Sequence, residues 1–174
     1  MQDLKQRIRS IPDFPKRGIM FRDITTLLKD GRALRQAVDG LAVPFAGEGV
    51  ELVVGMEARG FILGGAVAAR LGAGFVPVRK KGKLPAETVE ETYELEYGTD
   101  TLAMHSDAVR PGQKVLMLDD LLATGGTMAA SCRLVEKLGG KIVGCAFLIE
   151  LSFLKGRDKL RPYRILSLID YDRE

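Results

Sequence analysis

Residues 115–128 read Val-Leu-Met-Leu-Asp-Asp-Leu-Leu-Ala-Thr-Gly-Gly-Thr-Met, and they limit the fold more than any other stretch. Four apolar residues run into two adjacent acids, Asp119 and Asp120. A loop rich in hydroxyls and glycine follows: Ala123, Thr124, Gly125, Gly126 and Thr127. An amphipathic run over residues 128–138 closes on Gly139 and Gly140. The order is strand, acidic turn, loop, helix. A continuous apolar run suits a strand buried on both faces of a parallel sheet. Polar groups at its carboxyl end stand where open α/β sheets bind ligands. The loop can aim backbone N–H groups at an anion, the helix N-terminus adds partial positive charge, and glycine permits close approach.

Two acids beside a phosphate cradle would repel a bare phosphate. They suit a ligand that also carries hydroxyls or a metal ion, as a ribose 5-phosphate does. The loop lacks the Gly-Lys-Ser/Thr ending of a Walker A motif, and it is not Gly-x-Gly-x-x-Gly. The plain alternative is a surface loop with two solvated acids. The strand, acid pair and Ala-Thr-Gly-Gly-Thr loop together resemble the phosphoribosyl-pyrophosphate (PRPP) signature of the type I phosphoribosyltransferases.

The rest of the chain frames this stretch. Residues 3–10 suggest a short helix, broken by Pro12 and Pro15. Residues 13–26 read as a loop unusually rich in apolar side chains, either packed down or binding something flat. An amphipathic helix is expected over 32–46, with Pro44 near its end. Strand 51–56, the turn Glu57-Ala58-Arg59-Gly60, helix 61–71 closed by Gly72, and strand 74–78 form a right-handed βαβ unit. A basic patch follows, with Arg79, Lys80, Lys81 and Lys83. It is either a solvated charge run or a seat for an anion such as pyrophosphate. Residues 88–105 read as a hairpin outside the main sheet, turning at 97–100, of the kind that makes a lid. Further strands are expected over 142–149 and 164–169, with a short helix or turn over 152–160. The fold class expected is α/β: a mainly parallel five-stranded sheet flanked by helices, as a single domain over 1–174. An N-terminal segment (1–30) lies over the ligand edge, with a hairpin lid within 80–105.

The net charge of +3 implies no polyanion partner, so neither nucleic acid nor a membrane is expected. Cys132 and Cys145 read as small buried hydrophobes, and the single histidine, His105, argues against a structural zinc site. With no signal-like or spanning apolar run, a cytoplasmic enzyme is the expectation.

Five further stretches are similar to the adenine-using members of the same family. They are Phe14-Pro-x-x-Gly-Ile-Met-Phe-Arg-Asp-Ile24, Glu57-Ala-Arg-Gly-Phe61, Arg79-Lys-Lys-Gly-Lys-Leu-Pro85, Tyr93-Glu-Leu-Glu-Tyr-Gly98 and Glu150-Leu-Ser-Phe-Leu-Lys-Gly-Arg157. The departures are Ile19-Met20, where two valines are common, and Glu57-Ala58 in place of an acid–serine pair. The resemblance implies transfer of a phosphoribosyl group from PRPP to adenine, giving AMP and pyrophosphate. Mg2+ would be held through PRPP and water with no direct protein ligand, in a homodimer. It places Asp119 and Asp120 on the ribose hydroxyls, residues 123–127 on the 5′-phosphate, and Arg59, Arg79 and Lys83 on pyrophosphate. It puts adenine against Phe21, with the backbone of Met20 and Arg22 at its edge and Leu154 as a wall. Glu96 would serve as acid or base beside Tyr97 on the lid, with Arg59 also assisting catalysis. Core packing for Phe21 and Leu154, and a solvated acid for Glu96, are the plain alternatives. A different purine base, or a PRPP sensor without catalysis, are the rival functions.

Overall fold

The structure, a computed structural model, describes residues 2–95 and 98–173. The chain opens on a short helix α1 (Gln2–Gln6). Two short antiparallel strands follow, β1 (Arg9–Ile11) and β2 (Phe21–Asp23), with Arg9 opposite Asp23 and Ile11 opposite Phe21. The helix expected to reach residue 10 therefore stops early, and the expected loop contains a strand. The reason is long-range: Arg9 donates from Nε and Nη2 to the buried Asp23 carboxylate across the pair. Helices α2 (Thr25–Leu28) and α3 (Gly31–Ala42) come next. Asp30 caps α3 by accepting from the N–H groups of Arg32 and Ala33. After Ala42 the chain tightens into a 3₁₀ turn, Val43–Phe45, because Pro44 offers no N–H to continue the helix.

The sheet is then laid down: β3 (Leu52–Met56), α4 (Arg59–Leu71), β4 (Gly74–Lys80), β5 (Thr88–Glu94), β6 (Thr99–His105), β7 (Lys114–Leu122), α5 (Gly126–Lys137), β8 (Lys141–Leu151) and β9 (Ile165–Tyr171). Two 3₁₀ turns, Ser152–Leu154 and Gly156–Leu160, join the last two strands. The spatial order is β5-β6-β4-β3-β7-β8-β9. The five strands from β4 to β9 pair in parallel, as expected. The hairpin is not separate from the sheet. β6 pairs antiparallel with the end of β4, Arg79 opposite Ala103 and Lys80 opposite Leu102, and so extends the sheet to seven strands. Backbone groups at the end of β4 would otherwise lack partners, and β6 supplies them.

Alternation along the strands fills two cores. Val53, Leu116 and Leu118 face a cluster that includes Leu41, Phe45, Leu63 and Val67 from the α3–α4 side. Val54, Val115 and Met117 face another with Met128, Leu134 and Val135 of α5. Successive residues burying opposite faces is what a sheet covered on both sides requires. Cys132 and Cys145 are buried free thiols in the second cluster, with Sγ atoms 3.8 Å apart. Chain order reverses between β3 and β7, the central neighbours, so the crevice at their carboxyl ends is the topological switch point.

Candidate active site

The central strand runs further than its apolar run suggested. β7 continues through both acids to Leu122, held by pairing of Asp119 with Phe147 and of Leu121 with Ile149. The acids therefore sit on a rigid strand rather than in a turn. Asp119, the loop residues 123–127 and Met128 surround one small cavity of about 80 Å³. Gly125 has φ +78, and an added Cβ there would lie 2.4 Å from the Gly156 carbonyl oxygen. Helix α5 starts at the next residue, so its first N–H groups open on the same cavity.

Burial pushes the Asp119 carboxyl well above its ordinary value, and the Asp120 charge pushes the same way. Burial also raises Asp120, against the pull of Arg59, whose Nε lies 2.8 Å from Oδ2. Such a pair favours a ligand that donates hydrogen bonds or carries positive charge. Gly60 is needed beside it, since a Cβ at Gly60 would stand 2.8 Å from Asp119 Oδ1.

Arg59 opens α4 and reaches two groups at once. Besides Asp120, its guanidinium lies 5.2 Å from the centre of the Phe21 ring. Phe21 in turn packs edge-on to Phe14, centroids 5.1 Å apart. Met20, Arg22 and Leu154 line an adjacent cavity of about 320 Å³ with Ile19 and Phe153. Phe21 is not part of that lining. The Arg22 side chain donates to Ser10 and stacks 3.9 Å over Tyr171.

Arg79 and Lys83, the residues expected on pyrophosphate, come together here on a carboxylate. Arg79 Nη2 and Lys83 Nζ lie 2.8 and 3.1 Å from Glu57 Oε1. The Arg79 hydrogen bond, with help from Lys83, holds the Glu57 carboxyl down to about 2. These groups line a cavity of about 450 Å³ with Lys80, Tyr93 and Thr127. Arg59 is not among its lining. Tyr93 takes a part that its sequence context does not signal. Its hydroxyl lies 3.2 Å from Thr127 Oγ1, joining the hairpin to the loop. Glu57 and Tyr93 gave no periodic signal; their neighbours in sequence are loops and an ordinary strand. Glu96 and Tyr97 lie outside the described residues. Among the described residues no group of three or more His, Cys, Asp or Glu gathers to hold a metal.

Residues 25–172 match the family model described as the phosphoribosyl transferase domain. Over 169 residues the chain is 59% identical to an adenine phosphoribosyltransferase of Clostridium perfringens, covering 97% of this chain and 98% of that one. The crystal structure of the adenine phosphoribosyltransferase from Thermoanaerobacter pseudethanolicus superposes with a TM-score of 0.95 at 56% identity, covering 98% of this chain and 99% of that one. The Saccharomyces cerevisiae enzyme, complexed with D-2,5-dideoxy-2,5-imino-altritol 1,6-bisphosphate and adenine, matches with a TM-score of 0.90 at 39% identity, covering 95% of this chain and 96% of that one.

Proposed function

This chain belongs to the phosphoribosyl transferase family, in its adenine phosphoribosyltransferase branch, and from that premise we propose how its crevice carries out the reaction. The reaction is purine salvage: adenine and PRPP give AMP and pyrophosphate. One observation carries the assignment of the site. Arg59 touches both the Phe21 ring and the Asp120 carboxylate, so an aromatic face for a base and an acid pair for a ribose lie within one side chain's reach.

Asp119 and Asp120 accept hydrogen bonds from the ribose 2′- and 3′-hydroxyls. The backbone of residues 123–127, with the Thr124 and Thr127 hydroxyls, cradles the 5′-phosphate at the start of α5. Arg79 and Lys83 receive pyrophosphate, exchanging the Glu57 carboxylate for a phosphate oxygen. Arg59 supports the departing charge. The base stacks on Phe21, with the backbone at Met20 and Arg22 reading its edge and Leu154 closing the wall. A carbonyl facing the 6-amino group and an N–H facing N1 would leave unpaired groups with hypoxanthine, which presents the reverse pattern. Glu96, which with Tyr97 lies outside the described residues, is assigned the proton adenine releases as N9 attacks. As pyrophosphate leaves, positive charge builds on the ribose, and the carboxylates favour it; positioning and electrostatics supply catalysis without a covalent nucleophile.

The acid pair, both members raised by burial, suits a cation nearby. Mg2+ would be held through PRPP phosphates and water rather than by direct protein ligands, as suits an ion that keeps several waters. When bound it would neutralise the pyrophosphate charge. A homodimer and a cytoplasmic location complete the reading, to be checked by light scattering and cell fractionation.

The test is product formation from PRPP and Mg2+ with adenine, hypoxanthine, guanine or xanthine, resolved by chromatography. AMP from adenine alone is expected. IMP or GMP at comparable rates would overturn the base site. PRPP binding with no nucleotide from any base would favour a sensor.

A further inference from the structure

The buried Glu150 carboxylate has no part in the reaction as drawn above. It lies one residue before the end of β8, at 4% exposure. Arg157 grips it at both oxygens, Nε to Oε1 at 2.6 Å and Nη2 to Oε2 at 2.7 Å. Ser167 of β9 donates to Oε2 and accepts from Arg157 Nη2. Burial works against the ionised form, but these hydrogen bonds prevail and hold the carboxyl below its ordinary value. The clamp closes the segment between β8 and β9, where Lys155 has φ +55 and Gly156 is buried.

That segment touches both halves of the crevice. An added Cβ at Gly156 would lie 2.3 Å from the Ala123 carbonyl oxygen, and one at Gly125 would lie 2.4 Å from the Gly156 carbonyl oxygen. The phosphate loop and the clamped segment thus cross backbone on backbone, with no side chain between them to absorb a shift. Two residues earlier, Leu154 lines the cavity beside Met20 and Arg22.

We propose that Arg157, anchored on Glu150 and Ser167, is a positioning residue that sets the phosphate loop through Gly156 and the base wall through Leu154. This rests on the reading of the site given above. The pyrophosphate cavity shares Thr127 with the loop but takes its cations, Arg79 and Lys83 on Glu57, from the ends of β3 and β4 and the turn beyond, so it is the internal control.

The experiment measures ribose 5-phosphate and pyrophosphate binding by calorimetry, with steady-state kinetics, for wild type, Arg157→Ala, Arg157→Lys and Glu150→Gln. A displaced cradle costs of the order of tenfold or more. For Arg157→Ala, ribose 5-phosphate Kd and the KM for adenine should rise by about that factor, while pyrophosphate Kd stays within about twofold. Arg157→Lys should recover only part, because an ammonium cannot span both carboxylate oxygens. If Arg157→Ala fails to fold, Glu150→Gln, which keeps the shape and weakens the grip, should show the same selectivity at smaller size. Equal losses for both anions, or no loss in a folded variant, would overturn the proposal. Failure of wild type to form AMP would instead overturn the reading of the site, so the two failures are distinct.

Discussion

Each of the two acids at the head of the crevice is held differently. Asp120 is buried against Arg59, while Asp119 accepts from the N–H of Asp120 and abuts Gly60. Hydrogen bonds to ionised groups are worth about 1.5–3 kcal/mol, so losing one to ribose should cost about 10²-fold. Asp119→Asn and Asp120→Asn should each lower kcat/KM for PRPP by about that factor in steady-state assays. A double variant at wild-type rate would remove the acids from the ribose. Lys83→Ala should raise the KM for PRPP and weaken inhibition by pyrophosphate while leaving the KM for adenine unchanged. An effect on adenine instead would mean that the end of β4 does not seat pyrophosphate. Glu96→Gln should reduce kcat by about 10²-fold or more under chemistry-limited conditions, with little effect on PRPP binding.

At the level of elements, α4 shows how one helix serves both packing and site. Gly60 in its first turn and Gly64 further along have no room: an added Cβ would meet Asp119 at 2.8 Å or the Phe75 ring at 2.7 Å. Gly65, one residue on, faces open space. Glycine within a helix costs about 0.5–1 kcal/mol relative to alanine. Gly65→Ala should therefore raise the melting temperature with activity intact. Gly60→Ala should weaken PRPP use, because Asp119 must move. Equal behaviour of the two variants would contradict the close approach of α4 to β7. The Gly- and Ala-rich composition of residues 61–71 announced close packing on the sheet, but did not tell which glycine meets the acid.

For the whole molecule, two ion pairs tie the crevice walls together. Asp23 is held down to about 2 by Arg9, with Thr25 donating as well. This fastens the N-terminal strands where β2 meets α2. Glu57 is held to about 2 by Arg79 across the ends of β3 and β4. Both values lie below the ordinary 3.8 and 4.5, so the folded state binds fewer protons than the unfolded one. The stability these pairs contribute is full above about pH 5 and falls away as pH drops through the two folded values near 2. Thermal melts from pH 7 to pH 2 should show that loss, and Asp23→Asn should show a shallower acid slope. An unchanged slope would mean that Asp23 titrates alike folded and unfolded.

From sequence alone, the strand–acid–loop–helix order at 115–128 determined the α/β class and the parallel strands, and marked the loop proposed here as the phosphate cradle. These rest on periodicity and turn chemistry, which neighbouring residues carry among themselves. The resemblance of the flanking stretches extended this to the chemistry. The tertiary structure alone decided what depends on residues far apart in the chain. Among these are the Arg9–Asp23 pair that turned an expected loop into a strand, and the end of β4 that drew the hairpin into the sheet. So too are Arg59 bridging Phe21 and Asp120, Glu57 collecting Arg79 and Lys83, and Gly156 seated against Gly125. None of these pairs leaves a local pattern, because each exists only once the sheet has brought its strand ends to one edge.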